Sequence, residues 1–397
     1  MSTSESRCLA YNVTADDGQI WTVIYLIEHG RIRQVFTEQS NAAQSGDIYL
    51  ARVVQNAPPI SASFVDTEGG KCFLPGIYPV GTRLPVMIET LAYREKMAKV
   101  STKLSVGSEW MVMTCGQAGV RCSQKLDRDQ KSRLKALTEQ EEIRELLQEK
   151  QLGILFRTKA GEADGELLKK NVRDLSEQID NIRKRANIEV RLLRLYRTAS
   201  VITQSLQKAK EAGGVWITES EELYQTAVSE AKQIGMDPEQ VIRYQDTNIT
   251  MAALHGLQGK LKNILYERVW LPSGAEIVIT EAEAMCVIDV NSARVQTAKG
   301  AAREEVFLKL NLEAAAEIAE QIVARNISGT ILIDFISMQK KESETILLSE
   351  MRTLTKGMYP PIKVVDITKL GIMETTRQRL SGSLREKKEL LNKTILL

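Results

Sequence analysis

The chain of 397 residues has little of the chemistry that most often marks a site. It carries two histidines, His29 and His255. No HExxH occurs, which excludes the common zinc-protease arrangement. Histidine-pair catalysis would need these two, and nothing around them suggests it. Each reads as a surface or helix-face residue, with His255 on a helix by periodicity. The five cysteines (Cys8, Cys72, Cys115, Cys122, Cys286) are odd in number and scattered. None forms a CxxC pair, so neither a disulfide framework nor a cysteine zinc site is expected, and the compartment reads as reducing and cytoplasmic. No apolar run of about 18 residues is present, so no membrane span is expected. The N-terminal residues lack a charged region followed by an apolar stretch, so no secretory signal is expected. Aromatics make up only 5% of the chain, and 53 Lys and Arg against 51 Asp and Glu leave a net charge of +2. No global basic field advertises a polyanion; such a site must come from local patches.

What is present is regular secondary structure in several textures. The length suggests two to four subdomains. "IWTVIYLIEHGRIRQVF" has strand composition with a turn at Gly30. Residues 46–90 continue as strands broken by Gly and Pro, the pattern of a small barrel or sandwich. "GSEWMVMTCGQAGVRCS" reads as a further hairpin. Residues 125–150 read as helical, with a capping box at Thr138 and Glu141. "LGILFRTKAG" reads as a buried strand running into a polar turn, and residues 166–195 as one long charged helix against a sheet. From about 196 the pattern is α/β. One helix, a strand, a Pro-Ser-Gly turn and two strands are expected over 247–292. The amphipathic helix 303–325, the strand "TILIDF", a helix near 340–356, the strand "IKVVDI" and a charged tail follow.

Two of these strands end on acids. In "MCVIDVNSAR" an apolar run stops at Asp289, with Asn291 two residues on; in "GTILIDFISM" another stops at Asp334. Ligands of open α/β sheets gather beyond the carboxyl ends of strands. If both strands share a sheet, the carboxylates meet at one rim. Two ionised carboxylates about 4 Å apart repel by roughly 4 kcal/mol at an effective dielectric near 20. A divalent cation removes that conflict, and oxygen-only ligands suit Mg²⁺. Asn291 shares a strand face with Asp289, because the period is two. Such a metal acidifies a bound water and supports phosphodiester hydrolysis. Strand-terminal Asp residues also cap helices and form turns, so spacing alone leaves both readings open. Ser292 and Arg294 stay open between packing and phosphate contact. Phe64 and Phe73, around a Gly69-Gly70 turn, suit either base stacking or a barrel core. Arg157 and Thr158, ending a strand, suit a terminal phosphate or a solvated turn.

These pieces, in this order, resemble the ribonuclease E/G family of bacterial endoribonucleases. "LPSGAEIVI", "VIDVNSAR", "NLEAAAEIAEQIVARNISGTILIDFISM" and "LGIMETTRQRL" are similar to its catalytic segment. "GDIYLARVV" and "SASFVDTEGGKCFLP" are similar to its S1 domain; "VGSEWMVM" and "GILFRTKAG" match more weakly. The resemblance implies an α+β multidomain fold. An RNase H-like subdomain falls at 1–44 and 200–264, an S1 (OB-type) β-barrel at 45–105 and a 5′-sensor region at 106–199. A DNase I-like α/β catalytic subdomain falls at 265–388, with a C-terminal tail at 389–397. It places the metal-binding aspartates on Asp289 and Asp334 and the supporting asparagine on Asn291. RNA-contacting residues fall on Phe64, Phe73 and at or beside Lys96; the 5′-phosphate pocket falls on Gly107, Met111, Arg157 and Thr158. The implied activity is Mg²⁺-dependent endonucleolytic cleavage of single-stranded RNA to 5′-phosphate and 3′-hydroxyl ends, with one Mg²⁺ per active site. A non-catalytic RNA-binding protein on the same fold is the alternative.

The chain also departs from the family. The usual CPxC after "RQRL" is missing, so no structural zinc and no zinc-linked dimer are expected, and the oligomeric state stays open. Ser337 stands where the family often has a second acid, and Met111 is bulkier than the usual residue there. The long scaffold arm of some members has no counterpart in these 397 residues, so its partners are not among the expectations.

Overall fold

The computed structural model describes residues 6–40, 42–92, 96–116, 118–292 and 301–396. They fall into two compact units, one of residues 1–41 and 199–397, the other of residues 42–198 inserted between them.

Three antiparallel strands open the first unit: β1 (Arg7–Thr14), β2 (Ile20–Glu28) and β3 (Arg31–Gln39). The turn expected at Gly30 is there. His29 and Gly30 both take positive φ, 50° and 75°, which suits the twist of a two-residue hairpin.

The inserted unit begins with β4 (Ile48–Ala57), β5 (Ala62–Thr67), β6 (Gly70–Pro75), β7 (Arg83–Thr90) and β8 (Ala98–Ser101). They run in the order β4-β5-β6-β8-β7, and β7 pairs back onto β4, closing a small barrel as the sequence suggested. Alternate residues fill it: Val53, Val65, Cys72, Leu74, Val86 and Val100. The next elements are β9 (Ser105–Gly107), β10 (Met111–Cys115), β11 (Gly119–Cys122), α1 (Arg128–Glu139) and α2 (Glu141–Glu149). After them come β12 (Leu152–Phe156), α3 (Gly165–Ile188) and β13 (Arg194–Tyr196).

Three sequence expectations need correction here. The hairpin read at 107–123 forms only at its start, where β10 turns back antiparallel onto β9; β10 and β11 do not pair, because β12 lies between them, antiparallel to one and parallel to the other. "LGILF" is buried at four of its five positions, so a central place that pairs both of its edges satisfies its backbone. The capping box is not at Thr138 and Glu141. Thr138 is buried inside α1, where its hydroxyl donates to the Lys135 carbonyl at 2.7 Å. The box forms at Asp127 and Gln130, each accepting the other's backbone N–H, at 2.7 and 3.1 Å. The long helix stops at Ile188 rather than 195. Leu168, Val172, Leu175, Ile179 and Ile182 keep helical spacing toward the core; after Ala186 the stripe lapses, with Ile188 and Val190 exposed, and β13 pairs with β4.

Back in the first unit, α4 (Val201–Glu211), β14 (Val215–Thr218), α5 (Glu221–Gln233) and β15 (Val241–Arg243) extend the opening sheet to β15-β14-β1-β2-β3. The helix expected after 250 is two: α6 (Met251–Leu254) and α7 (Leu257–Leu265), parted by Gly256 at φ 58°. His255 caps the first of them, and its Nδ1 lies 3.1 Å from an Arg7 guanidinium nitrogen.

The second sheet of this unit is built from β16 (Arg268–Trp270), β17 (Glu276–Glu281) and β18 (Met285–Asn291). The helix α8 (Ala301–Ala324) then crosses to β19 (Gly329–Asp334), and α9 (Lys341–Leu354) precedes β20 (Ile362–Ile367) and β21 (Ile372–Arg377). The order is β16-β17-β18-β19-β21-β20, with β18 and β19 parallel. A core of Ile277, Ile288, Ile331, Ile333, Ile318 and Leu347 joins this sheet to α8 and α9. The "charged tail" after 367 is a further correction: it holds β21, inserted between β19 and β20, and α10 (Lys388–Leu396). Two of the inward residues of β21 are polar, which hid the alternation. Thr375 donates to the Ile331 carbonyl, and buried Arg377 donates to the Pro360 and Ile327 carbonyls and to Asn326.

Among the described residues no helix is long and apolar enough to cross a membrane. All five cysteines are free thiols.

Candidate active site

In β18, Cys286, Ile288 and Val290 point into the core, so Met285, Val287, Asp289 and Asn291 take the other face. In β19, Ile331 and Ile333 point inward and Leu332 and Asp334 outward. The parallel register pairs Asp289 with Asp334, so the two carboxylates leave one face side by side, one strand spacing of about 4.8 Å apart at the backbone. Both sit at the carboxyl ends of their strands. The Asn291 amide donates to Asp289 Oδ2 at 2.7 Å. The Asp334 carboxyl is held above its ordinary value, first by partial burial and then by the charge of Asp289. Arg294 lies outside the described residues.

The loop after Asp334 is fixed by residues that sequence reasoning missed. Asn311, fully buried in α8, donates to the Ile336 carbonyl at 2.8 Å and accepts from the Ile336 N–H at 3.0 Å. Glu304, also in α8, accepts from the N–H groups of Gln339 and Lys340, each at 3.0 Å. It thereby ties down the two residues that lead into α9, whose N-cap, Lys340, makes no side-chain cap bond. Those bonds, the Gln339 N–H foremost and then the Ser343 hydroxyl, hold its carboxyl below the usual range. One signal was available: an amide on the apolar stripe of an otherwise regular helix.

Phe64 and Phe73 are register partners on β5 and β6. Both are half-buried on the outer barrel face, with ring centroids 6.3 Å apart and edge to face. They lie outside the barrel core. Lys96 is exposed. Lys99, which was not singled out, is the residue paired with Phe73 across β8, and it forms an ion pair with Glu89 at 2.8 Å.

The third group also converges. Gly107 pairs with Val112, and a side chain at Gly107 would meet the Arg157 guanidinium at 3.5 Å and the Met111 carbonyl at 3.6 Å. The Met111 side chain itself is fully buried, which leaves its backbone at the site. The Thr158 hydroxyl lies 2.9 Å from that of Ser123, another residue the sequence did not advertise. Among the described residues no three His, Cys, Asp or Glu side chains cluster to hold a metal.

Beyond this geometry, the profile of the ribonuclease E/G family matches residues 105–380. The chain belongs to the ribonuclease E/G family. It is 27% identical over 383 residues to ribonuclease E of Synechocystis sp., covering 89% of this chain and 55% of that protein. To ribonuclease E of Escherichia coli it is 24% identical, covering 91% of this chain and 36% of the relative. To ribonuclease G of Haemophilus influenzae it is 26% identical, covering 95% and 80%. The chain thus spans about half or less of the two ribonuclease E sequences.

Proposed function

We propose that this member of the family is a Mg²⁺-dependent endoribonuclease. It cuts single-stranded RNA to 5′-phosphate and 3′-hydroxyl ends. The observation that carries the reading is the row Asp289–Asp334 at the ends of two adjacent parallel strands, with Asn291 bonded to the first acid. Two carboxylates and no sulfur or imidazole suit Mg²⁺, which keeps several waters and commonly takes one or two protein carboxylates. Asp289 and Asp334 would hold it, and Asn291 fixes the rotamer of Asp289. When bound, the cation supplies an acidified water and offsets charge developing on the phosphate.

The same reading assigns the other groups. The barrel at 45–105 is an S1 domain on which Phe64 and Phe73 stack bases, with Lys96 or Lys99 on the backbone phosphates. Gly107, the Met111 backbone, Arg157 and Thr158, in a 5′-sensor region at 106–199, hold a terminal phosphate. Residues 1–44 and 200–264 form an RNase H-like subdomain, and 265–388 a DNase I-like catalytic one. Five free thiols suit a reducing, cytoplasmic compartment.

The test is incubation with 5′-monophosphorylated single-stranded RNA and Mg²⁺, wild type beside Asp289→Ala and Asp334→Ala. Cleavage is expected from wild type alone, with chelator abolishing it. Undiminished cleavage by either variant would sink the assignment, and binding without cleavage by wild type would make the chain a non-catalytic RNA binder.

A further inference from the structure

The edge strand of the catalytic sheet carries a pair of side chains whose chemistry the site has not yet used. In β16, Val269 packs on the core, so Arg268 and Trp270 take the opposite face. The ladder extends both across the sheet. Arg268 pairs with Val278, Val278 with Asp289 and Asp289 with Asp334; Trp270 pairs with Glu276, and Glu276 with Asn291. Residues in one cross-strand row share a face, so the guanidinium and the indole look out over the same surface as the acids. Two strand spacings put the Trp270 backbone about 10 Å from that of Asn291. Trp270 is 53% exposed. The Arg268 side chain is likewise 53% exposed and is braced by Glu276, whose two carboxylate oxygens accept from it at 2.8 and 2.9 Å. Val278 and Glu276 lie between edge and acids; along β18 before Asp289, Met285 and Val287 add apolar surface on the same face at 38% and 40% exposure.

We propose that β16 positions the substrate. Trp270 stacks a base close to the scissile phosphodiester, and Arg268 contacts a neighbouring phosphate. The proposal rests on the endonuclease reading and adds the path of the strand across this face. A cation alternating with an aromatic is what single-strand grooves use: stacking accepts any base, and the guanidinium fork fits phosphate oxygens. The same cross-strand row ends on the carboxylate pair, which favours RNA as its occupant over a protein.

The experiment compares wild type, Trp270→Ala and Trp270→Phe on a labelled single-stranded oligoribonucleotide, by equilibrium binding and by Mg²⁺-dependent cleavage. Trp270→Ala is expected to raise Kd and KM by about 5- to 150-fold, the range of one stacked base, with kcat changed less. Trp270→Phe should regain most of the loss. Abasic substitution at successive positions near the cut should reveal one position at which wild type and Trp270→Ala become equal. Equal Kd and KM for wild type and Trp270→Ala on a cleaved oligonucleotide would overturn the proposal. So would a fall in sedimentation mass for Trp270→Ala with RNA affinity unchanged, which would make the face a protein contact. If wild type binds but does not cleave while the Trp270 effects persist, the endonuclease reading fails and the stacking role stands.

Discussion

Asp289 and Asp334 stand side by side with like charge, and the protein gains nothing in stability from the arrangement. The raised Asp334 carboxyl means that the folded state holds this proton more tightly than the unfolded chain. Ionisation through that raised value therefore weakens the fold as pH rises. Asp334→Asn is expected to leave the melting temperature of the metal-free protein at pH 7 unchanged or higher. Cleavage should fall by about 100-fold or more, as befits several kcal/mol of lost metal stabilisation. A clear drop in melting temperature would mark Asp334 as a structural residue. Lys387 shows the opposite sign. Its ammonium donates to Thr37, and burial pushes it from 10.5 down to about 8. Between those values the folded state has released a proton that the unfolded chain still binds, so stability rises with pH from about 8 to about 10. Lys387→Met should flatten that rise in denaturant melts, and an unchanged slope would show that another group titrates. The aspartates were legible because an apolar run stopped on each of them. Lys387 was not, because its partner on β3 is 350 residues away.

At the scale of elements, the site depends on how α8 grips the loop beyond β19. The backbone of Ile336 is satisfied by one buried amide. Asn311→Ala would leave an N–H and a carbonyl unpaired, at about 1–3 kcal/mol each. The expected result is a denaturation midpoint lowered accordingly and, in the folded protein, a higher Mg²⁺ concentration for half-maximal cleavage. A stability loss with an unchanged Mg²⁺ requirement would confine Asn311 to packing. The strands themselves were readable wherever inward positions were apolar, as in β18 and β19. They were misread where a strand's neighbour came from elsewhere in the chain. β12 enters between β10 and β11, and β21 between β19 and β20. Local alternation says which residues face inward and nothing of which strand lies alongside.

At the scale of the molecule, the inserted unit closes on itself. Asp47, fully buried near its start, accepts from the Thr198 N–H at 2.9 Å near its end, from Gln44 N–H at 3.1 Å and from Arg194 at 3.1 Å. With its own cores in the barrel and around α3, residues 42–198 should fold alone, melt cooperatively and bind single-stranded RNA without cutting it. Asp47→Ala should destabilise that fragment by about 3–5 kcal/mol, because it strands a partly buried guanidinium. A fragment without a cooperative transition would show that the inserted unit depends on the rest of the chain.

The sequence by itself determined the composition class, the positions of most strands and helices, and the acids that end β18 and β19. These are local consequences of periodicity, turn chemistry and residue type. The tertiary structure decided the register that sets Asp289 beside Asp334, the outward placement of Phe64 and Phe73, the meeting of Ser123 with Thr158, and the row from Trp270 to Asn291. The first and third need segments distant in the chain to meet, and the hairpins that set Phe64 beside Phe73 and carry the row to Asn291 take their inner and outer faces from what packs against them. Which segments pair is decided by the whole set of buried surfaces and backbone hydrogen bonds being satisfied together, and no single stretch of the chain records that.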